Sequence, residues 1–147
     1  MIPKKNQRKA SSLSIILMLI CIVVATSCSA TQQSQTILDI TEMTGGLGTV
    51  TMTVKNIGDN TAQNISMRIL VKGGILNRIN VEQICSGCDA CGTTIEPNEI
   101  KEESTSEAGF ILGFGPIIIT ASAEATNAAK VEKTYTGFVL GPYVIVT

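Results

Sequence analysis

The stretch ICSGCDACGTTI, from Ile84 to Ile95, sets Cys85, Cys88 and Cys91 at three-residue spacing in a chain of five cysteines. Three chemistries fit such a run. Thiolates spaced C-x2-C-x2-C resemble part of an iron–sulfur ligand set, and zinc accepts the same ligands. A C-x-x-C pair, Cys85–Cys88 or Cys88–Cys91, suggests thiol–disulfide exchange. An oxidised Cys85–Cys91 pair would simply staple a loop. Metal binding by Cys85, Cys88 and Cys91 lacks a fourth ligand: the chain has no His, so Asp89 or water would have to complete the site. Redox catalysis draws on a helix N-terminus to lower the thiol pKa, and no strand-then-helix pattern surrounds this loop. The disulfide Cys85–Cys91 is therefore the favoured state. It closes five residues, with Ser86, Gly87 and Gly92 allowing the bend, and is worth about 2 kcal/mol because so short a loop removes little chain entropy. Cys88 is left as an odd sulfur.

The missing His also removes the commonest general base near neutral pH and any Ser–His or Cys–His pair. The glycine-rich stretches TGGLGT (44–49) and LGFGP (112–116) carry no Lys-Ser/Thr and precede no helix, so they read as turns and not as phosphate cradles. Glu96, Glu99, Glu102, Glu103 and Glu107 lack the ligand order of a calcium loop and read as a solvated acidic face. The sequon at Asn64 reads as a strand-entry turn. No catalytic constellation and no cofactor site emerges, and the chain is expected not to be an enzyme.

The charges are segregated. Lys4, Lys5, Arg8 and Lys9 precede every acid, and the chain beyond them carries seven Lys/Arg against twelve Asp/Glu. An acidic domain with few aromatics is a poor nucleic-acid binder. The basic flank leads into an uncharged apolar run, Leu13 to Ala25, and then into Thr26, Ser27, Cys28, Ser29 and Ala30. That order is an export signal or an N-terminal membrane anchor over residues 1–30, with the basic flank cytoplasmic and the rest of the chain outside. The run is short of the roughly 20 residues of a typical span. ATSC, ending at Cys28, resembles a bacterial lipobox with Ala25 where Leu is usual, so Cys28 is the candidate lipidation site. Cleavage at Ala30 and a retained hydrophobic helix are the alternatives. Cys21 sits within the apolar run.

Residues 31–36 read as a polar tether. Alternation of period two follows. Val50, Met52 and Val54 share one strand face; so do Ile65, Met67, Ile69 and Val71. Ile117, Ile119, Ala121 and Ala123 form a third such set, with Ile118, Thr120, Ser122 and Glu124 opposite. NIGDN (56–60) turns the chain, Gly73-Gly74 ends a strand, ILNRINVEQI (75–84) crosses to the next element, and Pro97-Asn98 turns again. TNAAKVEK (126–133) reverses the chain, and TYTGFVLGPYVIVT (134–147) closes it as one strand or two, bent at Gly141-Pro142. Short strands with Gly- and Asn-rich turns and no long 3.6-residue period indicate an all-β fold. The expected architecture is an immunoglobulin-like β-sandwich of about seven strands over residues 37–147, preceded by the N-terminal hydrophobic helix.

The motifs within this region resemble the CARDB-type immunoglobulin-like modules of exported archaeal and bacterial proteins. Val54, Asn56 and Gly58 match their V-x-N-x-G strand end, Ala62 and Asn64 their A-x-N strand start, and Pro97 and Glu99 their Pro-Gly-Glu turn, with Asn98 in place of Gly. The resemblance spans residues 37–147 and implies a cell-surface module used for adhesion or as a spacer. It brings no catalytic residues, and the cysteine loop is outside its pattern. The expected function is thus an exported, membrane-tethered, non-enzymatic module for binding, adhesion or structural support. It would sit at the outer face of the cytoplasmic membrane or the cell surface, with the membrane as one partner and a surface protein or glycan as another. The alternative is a small extracytoplasmic metal or thiol-redox protein acting through Cys85, Cys88 and Cys91.

Overall fold

The computed structural model describes residues 34–87 and 93–147. The expected N-terminal helix, the Cys28 and Ala30 processing sites, and Cys88 and Cys91 lie outside them. Ser34–Thr147 forms a compact unit, and it is all-β and sandwich-like. One three-stranded antiparallel sheet contains β1 (Leu38–Gly45), β2 (Val50–Asn56) and β7 (Ile100–Ser104), in the order β1-β2-β7. The second sheet contains β4 (Ser66–Gly73), β5 (Ile79–Ser86), β8 (Gly113–Ala125), β9 (Ala128–Gly141) and β10 (Tyr143–Val146), in the order β10-β9-β8-β4-β5. A two-residue pair, β3 (Ala62–Gln63) with β6 (Thr94–Ile95), links the two at one end. Among the described residues seven strands have five residues or more, and β3, β6 and β10 are short additions.

The alternation read from the sequence is what builds the interior. Val50, Met52 and Val54 on β2, Met67, Ile69 and Val71 on β4, and Ile117, Ile119, Ala121 and Ala123 on β8 are all buried in one cluster. That cluster is aliphatic and draws on both sheets, so each sheet hides its apolar face against the other. Strand β1 joins it through a bulge. Pairing with β2 shifts between Ile40 and Glu42, and the extra residue turns Met43 back inward beside Leu38 and Ile40.

Several expectations are corrected. LGFGP is not a turn: β8 starts at Gly113 and runs through Pro116. The Pro116 carbonyl accepts from the Gly74 N–H, so its nitrogen faces the same flank, beyond the last β4 pair, Gly73 with Ile117. The missing donor therefore breaks no ladder bond. The reversal expected over 126–133 is only Thr126-Asn127, because β9 begins at Ala128. ILNRINVEQI is a 3-10 turn at Ile75–Asn77 followed by the full strand β5. The closing segment, expected as one strand or two, is two strands bent at Gly141-Pro142 as expected, with Leu140 opposite Tyr143. Gly141 has φ of 62°, and proline cannot take positive φ at the next position, which makes this two-residue hairpin a type II′ turn. Finally, 34–36 is not a loose tether. The Gln35 N–H donates to Asp59 Oδ1 at 2.6 Å, the Ser34 hydroxyl donates to Asn60 Oδ1 at 2.6 Å, and Thr36 is buried.

The two open flanks of the sandwich are closed differently. On one, the Gly48 N–H donates to the Pro142 carbonyl and the Val144 N–H to that of Gly46, while Lys133 Nζ, on the inner face of β9, donates to the Ile40 carbonyl and pairs with Asp39 at 2.8 Å. On the other, Gln83 of β5 donates to Glu103 of β7 at 2.9 Å. Glu103 lies opposite buried Met52, so it is an inward charge on an edge strand, a device that discourages further strand pairing.

That placement has a pH consequence. Burial raises the Glu103 carboxyl above its ordinary value; the Gln83 hydrogen bond opposes this and the nearby Glu107 charge adds to it. The folded state therefore holds this proton more tightly than the unfolded chain. Its contribution to stability is greatest below the ordinary carboxylate value and is lost as pH rises through the raised one. Glu103→Gln is expected to keep the bond to Gln83, to stabilise the protein at neutral pH and to flatten that part of the pH dependence. Thermal melts between about pH 4 and 7 read both effects.

Candidate functional site

Cys85 sits on the inner face of β5, opposite Met67, and is 6% exposed. Its thiol does not titrate because it is disulfide-bonded. Of the metal candidates Cys85, Cys88 and Cys91, only Cys85 is described; Cys88, Cys91 and Asp89 lie outside the described residues, as does the expected pairing with Cys91. Among the described residues no three His, Cys, Asp or Glu side chains gather as a metal site. Nor is any helix among them long and apolar enough to cross a membrane.

The turn motifs meet at one end of the domain. Asn56, fully buried at the end of β2, uses its side-chain amide three times. Nδ2 donates to the Asn60 carbonyl at 2.7 Å and to the Ile95 carbonyl at 2.9 Å, while Oδ1 accepts from the Gly58 N–H at 3.0 Å. Its backbone N–H donates to the Glu99 carbonyl, and its carbonyl accepts from the Asn98 N–H. One residue thus ties the NIGDN turn to the Glu96–Glu99 turn. Gly58 is required there, since a Cβ would lie 2.2 Å from the Gln35 carbonyl oxygen. Asn98, with φ of 65°, and Asn64, with φ of 51°, occupy the left-handed positions that asparagine tolerates. Asn127 repeats the device at the β8–β9 turn: Nδ2 donates to Thr36 Oγ1 and the Thr61 carbonyl, and Oδ1 accepts from the Gln63 N–H. Among the described residues no buried side-chain nitrogen or oxygen lacks a partner. These polar groups are committed to holding turns.

No protein-family model matches the chain, and no curated protein matches it.

The surface offers a different kind of site at the opposite end. On the outer face of the five-stranded sheet, Tyr143, Leu140 and Phe114 lie in one cross-strand row, and Ile145, Phe138 and Pro116 in the next. Ile118 continues the face, opposite Thr136. All are exposed. Beside this array a cavity of about 340 Å³ is lined by Ile75, Leu76, Arg78, Ile79, Leu112 and Phe114. Leu76, 80% exposed, has φ of 59° and is followed by Asn77 at 56°. A bulky residue held at positive φ is costly, and here it presents an apolar side chain to solvent. Sequence reasoning missed this surface. The available signal was apolar character on both faces of GPIIIT and GFVLGPYVIV, which marks strands with two sides to cover.

Proposed function

We propose that this chain is an exported, membrane-tethered, non-enzymatic module with an immunoglobulin-like β-sandwich, acting in binding, adhesion or structural support at the cell surface. The observation that carries the reading is the juxtaposition along the chain. A basic flank, an apolar run and small residues are followed directly by a self-contained all-β unit whose polar groups serve its own turns. The sheet order supports the finer architecture: β1-β2-β7 opposite β9-β8-β4-β5 corresponds to immunoglobulin strands A-B-E opposite G-F-C-C′, with β10 added beside G. The Asn56 network supplies a physical reason for the V-x-N-x-G and Pro-x-Glu resemblance, because the two turns are bonded through that residue. Lipid on Cys28 or a retained helix over residues 1–30 supplies the membrane association; cleavage after Ala30, the remaining end state, exports the domain without a tether. A surface protein or glycan is the class of partner. Cys85 pairs with Cys91 to staple the loop in the oxidising space outside the membrane, in keeping with the buried position of Cys85.

Intact mass of the full chain extracted from membranes, with and without reductant, tests this. The reading predicts one of the three processed N-termini and a gain of two hydrogens on reduction, with peptide mapping joining Cys85 to Cys91. An unprocessed chain recovered from the cytosolic fraction with free thiols would contradict it. Bound zinc or iron at one equivalent, or a disulfide far more easily reduced than structural bridges, would favour the metal or redox reading instead.

A further inference from the structure

We propose that the apolar end of the five-stranded sheet is a self-association surface on which a second copy of this chain docks, outer sheet face against outer sheet face. This names a partner for the binding role above and rests on that reading for where the contact operates, though not for the contact itself.

Composition points to an interface. All three Phe of the chain are at the surface, Phe110 at 58%, Phe114 at 54% and Phe138 at 44% exposed, while Ile, Val, Met and Ala fill the interior. Aromatic rings left in water beside an aliphatic core match interface enrichment and not a monomer's economy of burial. The two rows with Ile118 and Leu112 present seven large side chains about half exposed. At about 100 Å² apiece they offer on the order of 700 Å². A typical monomer's largest apolar patch is roughly 300–600 Å², and a stable dimer buries about 800 Å² per partner. The adjoining cavity wall, with Ile75 and Leu76, supplies the remainder.

Charge selects the occupant. The two rows carry no ionisable group except the Tyr143 phenol; the flanking charges are Lys72, which lies opposite Ile118 on β4, and Arg78 in the cavity wall. A two-fold axis through the rows sets their uncharged surface against itself and leaves those cations at the margin, and a partner recognised by its charge finds nothing in the rows to bind. The other half of the same face is ionic, with Arg68 bonded to Glu82 at 2.6 Å and Lys130 to Glu132 at 2.7 Å. It would form the polar rim of the interface. Position argues against a lipid occupant. The chain enters the domain at Ser34, and Thr36 is bonded to Asn127 beyond the Ala125 end of β8. The apolar rows lie toward the Gly113 end, about 30–36 Å away along the strand from Ala125 to Pro116 and Phe114.

The test places a benzophenone amino acid at position 138 of the full chain, irradiated in host membranes. The expected product has twice the chain's mass and joins position 138 to the tryptic peptide 102–130 or 134–147 of a second copy; the same probe at Thr41, on the other sheet, gives none. In parallel, the purified full chain sediments as a dimer. Phe138→Glu and Leu140→Lys each raise its dissociation constant at least about 30-fold, with circular dichroism unchanged and with melting unchanged at dilutions where all forms are monomeric. Attachment at position 138 to lipid, to another protein or to residues 1–33, or no attachment, would overturn the proposal, as would a dimer indifferent to both variants or a chain that sediments as a monomer. Sedimentation does not depend on where the protein resides, so a mislocalised but dimeric chain would sink the export reading alone.

Discussion

Asn56→Leu is expected to lower the unfolding free energy by about 3 kcal/mol. Leucine fills nearly the same volume but leaves the Asn60 and Ile95 carbonyls and the Gly58 N–H without their partner, and each buried unpaired group costs about 1–3 kcal/mol. The loss spreads beyond one residue, because the same side chain fixes the turn on which Gln35 and Ser34 dock. Asn60→Ala is the control. Its exposed side chain accepts only from the Ser34 hydroxyl, and its loss should change stability by less than about 0.5 kcal/mol. Urea denaturation of the two variants checks the difference. Equal, small effects would mean that the amide network does not hold this end of the domain.

Ile119→Ala is expected to cost about 3–4 kcal/mol. Ile119 is fully buried on β8, opposite Val71 of β4 and Tyr135 of β9, and β8 lies between those two strands in the sheet. Removing its three outer carbons leaves a void that neighbours held on both sides cannot close. Ile118→Thr, one residue away and pointing to the outer face, should change monomer stability by under about 0.5 kcal/mol. The pair reads the register directly, since a slip by one residue exchanges the two faces and with them the two effects.

How much of this was legible in the chain depends on the strand. The inner faces of β2, β4 and β8 could be read because aliphatic residues alternate there without interruption. Strand β1 was hidden by its bulge, which puts two residues, Thr41 and Glu42, between Ile40 and Met43 and breaks the period. Strand β7 was hidden by its inward Lys101 and Glu103, which look like solvated surface until the edge position is known. Strand β5 places Gln83 and Cys85 among its inward residues, so its apolar pattern was too thin to mark a full strand. The V-x-N-x-G motif was visible, but the reason for it was not: Ile95 is 39 positions from Asn56, and no local pattern announces that contact. The apolar outer face escaped for the opposite cause. Phe138, Leu140 and Phe114 gather only once β8, β9 and β10 are in register.

The exported, outward-facing placement of the β domain is the claim on which the functional account turns. A membrane-impermeant amine label applied to intact cells or spheroplasts, followed by peptide mapping, tests it most directly. The account predicts that exposed Lys72 and Lys130 are modified before lysis. Labelling of both only after lysis would contradict it.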